Sequence, residues 1–223
     1  MKKLLILLLC VCLLCIPVRA DRNSKLIALT FDDGPSGRYT RALLDGLEAR
    51  KTKATFFLCG YRMEQDPVLT ERIFAEGHEI GLHGYSHKCM RDMCQADIAQ
   101  ELERAMALLP DGCRVSFLRS PGGLCSKYVR AAAEDLSLSV LSWSVDPRDW
   151  ATHNAAAIEK EVISHVRDGD VILLHDMSDS SVQAALTIID ELEEAGYRFV
   201  TVSELAKAKG MPLIPGKEYR RFG

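Results

Sequence analysis

Beyond its first twenty residues the chain has no apolar run approaching the ~20 residues that span a bilayer. It has no internal repeat and no low-complexity stretch. Glycine (15), proline (8) and charged residues (26%) are not in excess, which excludes collagen-like, disordered and coiled-coil classes. Basic charge is not in surplus either: 28 Lys and Arg face 31 Asp and Glu, a net charge of −3. A mildly acidic body lacks the footprint that a nucleic-acid partner needs and offers nothing to an anionic membrane. No cysteine spacing is that of a zinc knuckle. What remains, 223 residues at 48% hydrophobic, is enough for one well-buried domain and too little for two ordinary ones.

The front end reads as an export signal. Lys2 and Lys3 precede an apolar run from Leu4 to Val18, and Val18-Arg19-Ala20 has the small-x-small form of a signal-peptidase site. The expectation is a cleaved leader over residues 1–20, a domain over 21–209 and a tail over 210–223, with the domain secreted, or held at the wall, outside the cytoplasm. An uncleaved anchor would put it on the same side. Cys15 raises a lipoprotein alternative, but Leu14 stands where a small residue is expected. Once the leader is cut, no stable membrane insertion is expected, and a monomer is the default. Cys10, Cys12 and Cys15 leave with the leader, so Cys59, Cys89, Cys94, Cys113 and Cys125 remain, an odd number. Cys59 lies in the apolar run 55–59 and reads as a buried core thiol. Cys89 with Cys94, and Cys113 with Cys125, could close short loops, or all five could stay reduced.

The mature region alternates. Apolar or β-branched runs at 26–31, 54–58, 79–82, 115–119, 138–142, 171–174 and 198–201 predict strands, and helical spacing at 40–50, 67–76, 96–109, 127–134, 154–166 and 182–195 predicts helices. Asn154 is a plausible N-cap, and Gly196 stands where the last of these helices should stop. Regular β–α alternation predicts an α/β fold with a mostly parallel sheet, open or closed into a barrel. The tail carries Leu213, Ile214, Tyr219 and Phe222, which favours an arm lying on the barrel over a free end.

In such folds reactive groups gather at the carboxyl ends of strands. Five strand ends here are polar and ionisable: Thr30-Phe31-Asp32-Asp33-Gly34-Pro35, His83-Gly84-Tyr85-Ser86-His87, Arg119-Ser120-Pro121-Gly122-Gly123, Asp146-Pro147-Arg148-Asp149-Trp150 and Leu173-Leu174-His175-Asp176. Adjacent carboxylates repel unless a cation offsets them, although a solvated Asp-Asp-Gly-Pro turn has the same letters. His83 and His87, four residues apart, would share one side of a helical turn and suit a metal pair; two surface histidines are the plainer reading. Two histidines with one aspartate leave an open position, as in a catalytic metal site. His175 is a candidate general acid, since imidazole titrates near neutrality, and also fits a structural role. Arg119 and Asp149 could tune ionisable neighbours or simply pair at the surface.

These five segments, in this order, resemble the polysaccharide deacetylases of the NodB-homology domain, carbohydrate esterase family 4. The TFDDGP motif is intact at Thr30–Pro35. The His-Ser/Thr-x-x-His motif is met by His83 and His87, with Gly84 in place of the hydroxyl residue. Arg-x-Pro is Arg119-Ser120-Pro121, Asp-x-x-Asp-Trp ends at Trp150, and Leu-x-His is Leu173-Leu174-His175. The likeness covers about residues 25–205. It implies a distorted (β/α) barrel of about seven parallel strands and metal-dependent hydrolysis of N-acetyl groups on an amino sugar. By the same resemblance Asp33, His83 and His87 hold a divalent metal, usually zinc or cobalt. Asp32 is then the general base oriented by Arg119, and His175 the general acid tuned by Asp149. Trp150 and Leu173 line the acetyl pocket, and the Gly122 N–H helps bind the oxyanion. Peptidoglycan or chitin-type glycans are the expected substrates; an O-acetyl xylan esterase or a silent glycan-binding protein are the alternatives. Gly84 should free the histidine loop and weaken the metal, so Gly84→Thr is expected to tighten it.

Overall fold

The computed structural model describes residues 24–223, so the expected leader lies outside the described residues. The strands are β1 (Lys25–Asp32), β2 (Thr55–Leu58), β3 (Glu79–Leu82), β4 (Phe117–Leu118), β5 (Ser139–Leu141), β6 (Val171–His175), β7 (Tyr197–Phe199) and β8 (Glu218–Tyr219). Their order is β6-β1-β2-β3-β4-β5-β8, with β7 paired to the first residues of β1, and every pairing is parallel. Around them lie α1 (Arg38–Arg50), α2 (Gly60–Gln65), α3 (Pro67–Ala75), α4 (Gln95–Met106), α5 (Lys127–Asp135), α6 (Ala155–His165), α7 (Asp179–Glu194) and α8 (Val202–Ala208). The sheet curls into a barrel whose closing edges are joined by isolated bridges, Val145 with Ile172 and Asp170 with Arg221. All seven expected strands form, and the tail supplies the eighth.

Period-two alternation along β1 explains how the barrel is filled. Ile27, Leu29 and Phe31 face outward into the main core under the helices. Ala28 faces the smaller inner core, and Thr30 and Asp32 follow on the same side. On β6, Val171 is in the inner core, so Leu173 and His175 share its parity. Phe117 is also an inner residue, which aims Arg119 inward two positions later. The far end of the inner core is plugged by Val202, Leu205 and Ala206 of α8 and by Tyr219 and Phe222, whose rings stack 5.5 Å apart.

Helix starts follow their caps: Asp66, Ser126, Asn154 and Ser178 each accept a backbone N–H of the first turn. The run 198–201 needs correction: the strand ends at Phe199, and Thr201 caps α8 in a reciprocal box with Glu204. The 115–119 run is trimmed to two paired residues. The five described cysteines are free thiols, so neither short-loop pairing forms, and Cys59 is buried. No helix among the described residues is long and apolar enough to cross a membrane.

Candidate active site

The polar strand ends open on one cleft of about 480 Å³ at the carboxyl end of the barrel. Asp32, Asp33, His83, His87, Gly122, Trp150, Leu173 and His175 all line it. Three groups of contacts organise the cleft.

The first is a trio of donors. Asp33 Oδ1 lies 2.9 Å from His87 Nε2 and 3.3 Å from His83 Nε2, and one donor atom from each of the three residues falls within 4.8 Å of the others. Yet Asp33 Oδ1 is buried and makes no hydrogen bond of acceptable geometry. His83 Nδ1 donates to the Arg119 carbonyl at 2.7 Å, which leaves the Nε2 lone pair facing Asp33. An orphaned carboxylate oxygen beside two imidazole nitrogens is a donor set that fits a divalent cation. Burial works to raise the Asp33 pKa, but the two imidazoles outweigh it and hold the carboxyl well below its usual range.

The histidines do not reach this trio on a helical turn. Residues 83–90 form a loop, with Gly84 at φ 77° and His87 at φ 57°. Glu101 of α4 anchors it: Oε2 accepts from Tyr85 N (3.0 Å), Ser86 N (2.7 Å) and Ser86 Oγ (2.8 Å). The expectation for Gly84 is therefore reversed. A Cβ there would meet Met90 Cε at 2.9 Å in a backbone conformation that L residues rarely adopt, so glycine suits this loop. Glu101 is a residue that the sequence reading missed. Its signal was a glutamate on the same helical face as Ile98, Leu102 and Ala105.

The second group is Asp32 with Arg119. Arg119 is fully buried and donates from Nη1 to Asp32 Oδ1 (2.6 Å) and Thr30 Oγ1 (2.8 Å), from Nε to the Leu141 carbonyl and from Nη2 to the Ser142 carbonyl. Its guanidinium lies 4.0 Å from the centre of the Phe57 ring. Surface pairing is excluded for it. A buried guanidinium with four of its five N–H donors bonded fixes the carboxylate in position and keeps its charge balanced.

The third group is His175 with Asp149. Asp149, 1% exposed, accepts from His175 Nδ1 (2.8 Å) on one oxygen and from the His175 backbone N–H (2.8 Å) on the other. Burial alone would lower the imidazole pKa, but Asp149, with help from Asp32 and Asp33, lifts it to about 9. His175 is thus a protonated imidazole at neutral pH. Leu173 is buried on the floor of the cleft, whereas Trp150 is 58% exposed on its rim. Trp143 and Asp146 also line the cleft. Trp143 was overlooked, although a tryptophan just past the end of β5 was its signal.

Residues 19–141 match the polysaccharide deacetylase family. A peptidoglycan-N-acetylglucosamine deacetylase of Bacillus cereus is 37% identical over 193 residues, covering 84% of this chain and 91% of that protein. The solved peptidoglycan deacetylase PdaC of Bacillus subtilis superposes with a TM-score of 0.80 at 35% identity, over 85% of this chain and 94% of that one. A family 4 acetyl xylan esterase of Clostridium thermocellum, solved with a cobalt ion, superposes with a TM-score of 0.82 at 33% identity, over 88% and 98%. Strand for strand and along most of its length, this chain belongs to the polysaccharide deacetylase family and is a carbohydrate deacetylase.

Proposed function

We propose that the chain is an exported, divalent-metal-dependent enzyme that removes N-acetyl groups from the amino sugars of peptidoglycan. The observation that carries this reading is the convergence of a metal-type donor trio, a buried carboxylate–guanidinium pair and a histidine hydrogen-bonded to a buried carboxylate on one cleft. An amide needs an activated water, charge stabilisation at oxygen and a proton for the departing nitrogen. A cation held by Asp33, His83 and His87 supplies Lewis-acid polarisation of the acyl oxygen and acidifies water. Asp32, kept in place by Arg119, takes the proton of the attacking water. Gly122 lines the cleft, and its N–H would receive the developing oxyanion. His175, charged through its bond to Asp149, gives its proton to the leaving amine, so free amino sugar and acetate depart. Leu173 and Trp150 exclude water around the acetyl methyl.

Zinc is the preferred metal by its taste for histidine and carboxylate donors, with cobalt the alternative that the Clostridium esterase structure names. The names of the Bacillus relatives support peptidoglycan as substrate. That same esterase supports acetylated xylan as the second reading, because the same groups would cleave an easier ester. Retention of both Asp32 and His175 argues against a silent binding protein. Export is supported by the two lysines and the apolar run at the front of the sequence. The test is acetate release by zinc-loaded protein from peptidoglycan, N-acetylglucosamine oligomers and acetylated xylan, with a chelator and Asp32→Asn as controls. Release from the first, abolished by both controls, is the expected result. Release only from xylan selects the esterase, and none from any substrate by zinc-bound protein selects the silent binder.

A further inference from the structure

Asp176 follows His175 at the end of β6, is 0% exposed and has no part in the chemistry above. One carboxylate oxygen, Oδ2, accepts from Thr40 Oγ1, while Oδ1 is buried without any hydrogen-bond partner. Its backbone carbonyl accepts from Ser36 Oγ. Thr40 Oγ1, having donated its single proton to Asp176, accepts from the Ser36 backbone N–H at 2.7 Å. A Cβ placed on Gly34 would stand 3.0 and 3.1 Å from the two Asp176 oxygens, so the carboxyl group is packed against the turn backbone itself. The contacts therefore hold the segment from Gly34 to Ser36, which directly follows Asp33. Asp33 has φ 70°, an uncommon conformation for a non-glycine residue, which aspartate adopts more readily than most. Burying a carboxyl group with one oxygen unpaired costs stability, so packing energy alone gives no reason for an acid here.

We propose that Asp176 is a positioning residue, through which the strand that carries His175 sets the turn that carries Asp33. It touches neither metal nor substrate. Acting through Thr40, Ser36 and Gly34, it fixes the spacing between the acid and one metal-ligand side chain. The inference rests on the reading of Asp33 as a ligand.

The test is calorimetric zinc titration of chelator-stripped protein, with acetate release and thermal unfolding measured on the same preparations. Thr40→Val keeps the side chain's shape and removes the hydroxyl that joins Asp176 to the turn. It is expected to weaken zinc about ten-fold and to lower kcat with KM within about two-fold, the scale on which groups behind a metal ligand act. Thr40→Ser restores both. Asp176→Asn, whose amide oxygen still accepts from Thr40, keeps more zinc affinity than Asp176→Ala. Folded Thr40→Val that melts lower but binds zinc and turns over as the wild type does overturns the proposal, because the network is then structural only. Asp33→Asn is the separate control: unchanged zinc affinity in that variant overturns the ligand assignment itself.

Discussion

Acidification should destabilise this protein partly through one buried histidine far from the cleft chemistry. His78 is 4% exposed, its ring edge-on to Phe56 at 5.3 Å. Its Nδ1 accepts the Ala54 N–H at 3.2 Å, so the ring is neutral and its proton sits on Nε2. Nε2 has no hydrogen-bond partner, and the nearest carboxylate, Glu76 Oε2, is 3.8 Å away. Burial first, then Lys53 and Arg72, lower the His78 pKa to about 4, against 6.5 in the unfolded chain. The unfolded state therefore takes up a proton that the folded state refuses. Stability from this site is complete above pH 6.5 and is lost as pH falls towards 4, by about 3 kcal/mol in total and 2 to 3 of it by pH 4.5. His78→Asn isolates the effect, since its Oδ1 can still accept from Ala54 but cannot titrate. Losing the ring should cost the variant about 1–2 kcal/mol at pH 7, a moderate core truncation. In urea unfolding the deficit should shrink or reverse by pH 4.5, because carboxylate contributions are common to both proteins. An equal loss of stability in both proteins between pH 7 and 4.5 would refute the reasoning.

Three further outcomes are expected. Asp149→Asn removes the group that holds the His175 pKa near 9, so the basic limb of the kcat/KM profile should move below neutrality and activity at pH 8 should fall at least about ten-fold. Gly84→Thr, forced to φ 77° against Met90, should cost about 1–3 kcal/mol and loosen zinc, read by thermal unfolding and calorimetry. Phe222→Ala empties a wholly buried position at the end of the chain and should cost about 3–5 kcal/mol in urea unfolding.

Much of the site was legible because a parallel α/β fold gathers reactive groups at the carboxyl ends of its strands, and five such ends are polar and ionisable here. The structure adds the parity: Ile27, Leu29 and Phe31 face the main core, so Thr30 and Asp32 share the opposite face. The same rule puts His175 in register with Val171. Helix ends were legible where a cap is local, as at Asn154. The run 198–201 misled because threonine suits both a strand, by its branched β-carbon, and a cap, by its hydroxyl, and Glu204 three residues beyond Thr201 decided for the cap. Spacing misled at His83 and His87, where four residues read as a helical turn and a loop held by Glu101 was built instead.

The sequence by itself determined seven of the strands, six of the helices and which strand ends carry ionisable groups, because propensity and capping act over a few residues; it did not show α2, α8 or β8. Only the tertiary structure decided how those ends meet. It curled the sheet so that Asp32 reaches Arg119 and His175 reaches Asp149, plugged the inner core with the tail, and set Asp176 behind the Asp33 turn. Such contacts join residues tens of positions apart. Their geometry follows from sheet curvature and buried charge balance, which no local pattern encodes.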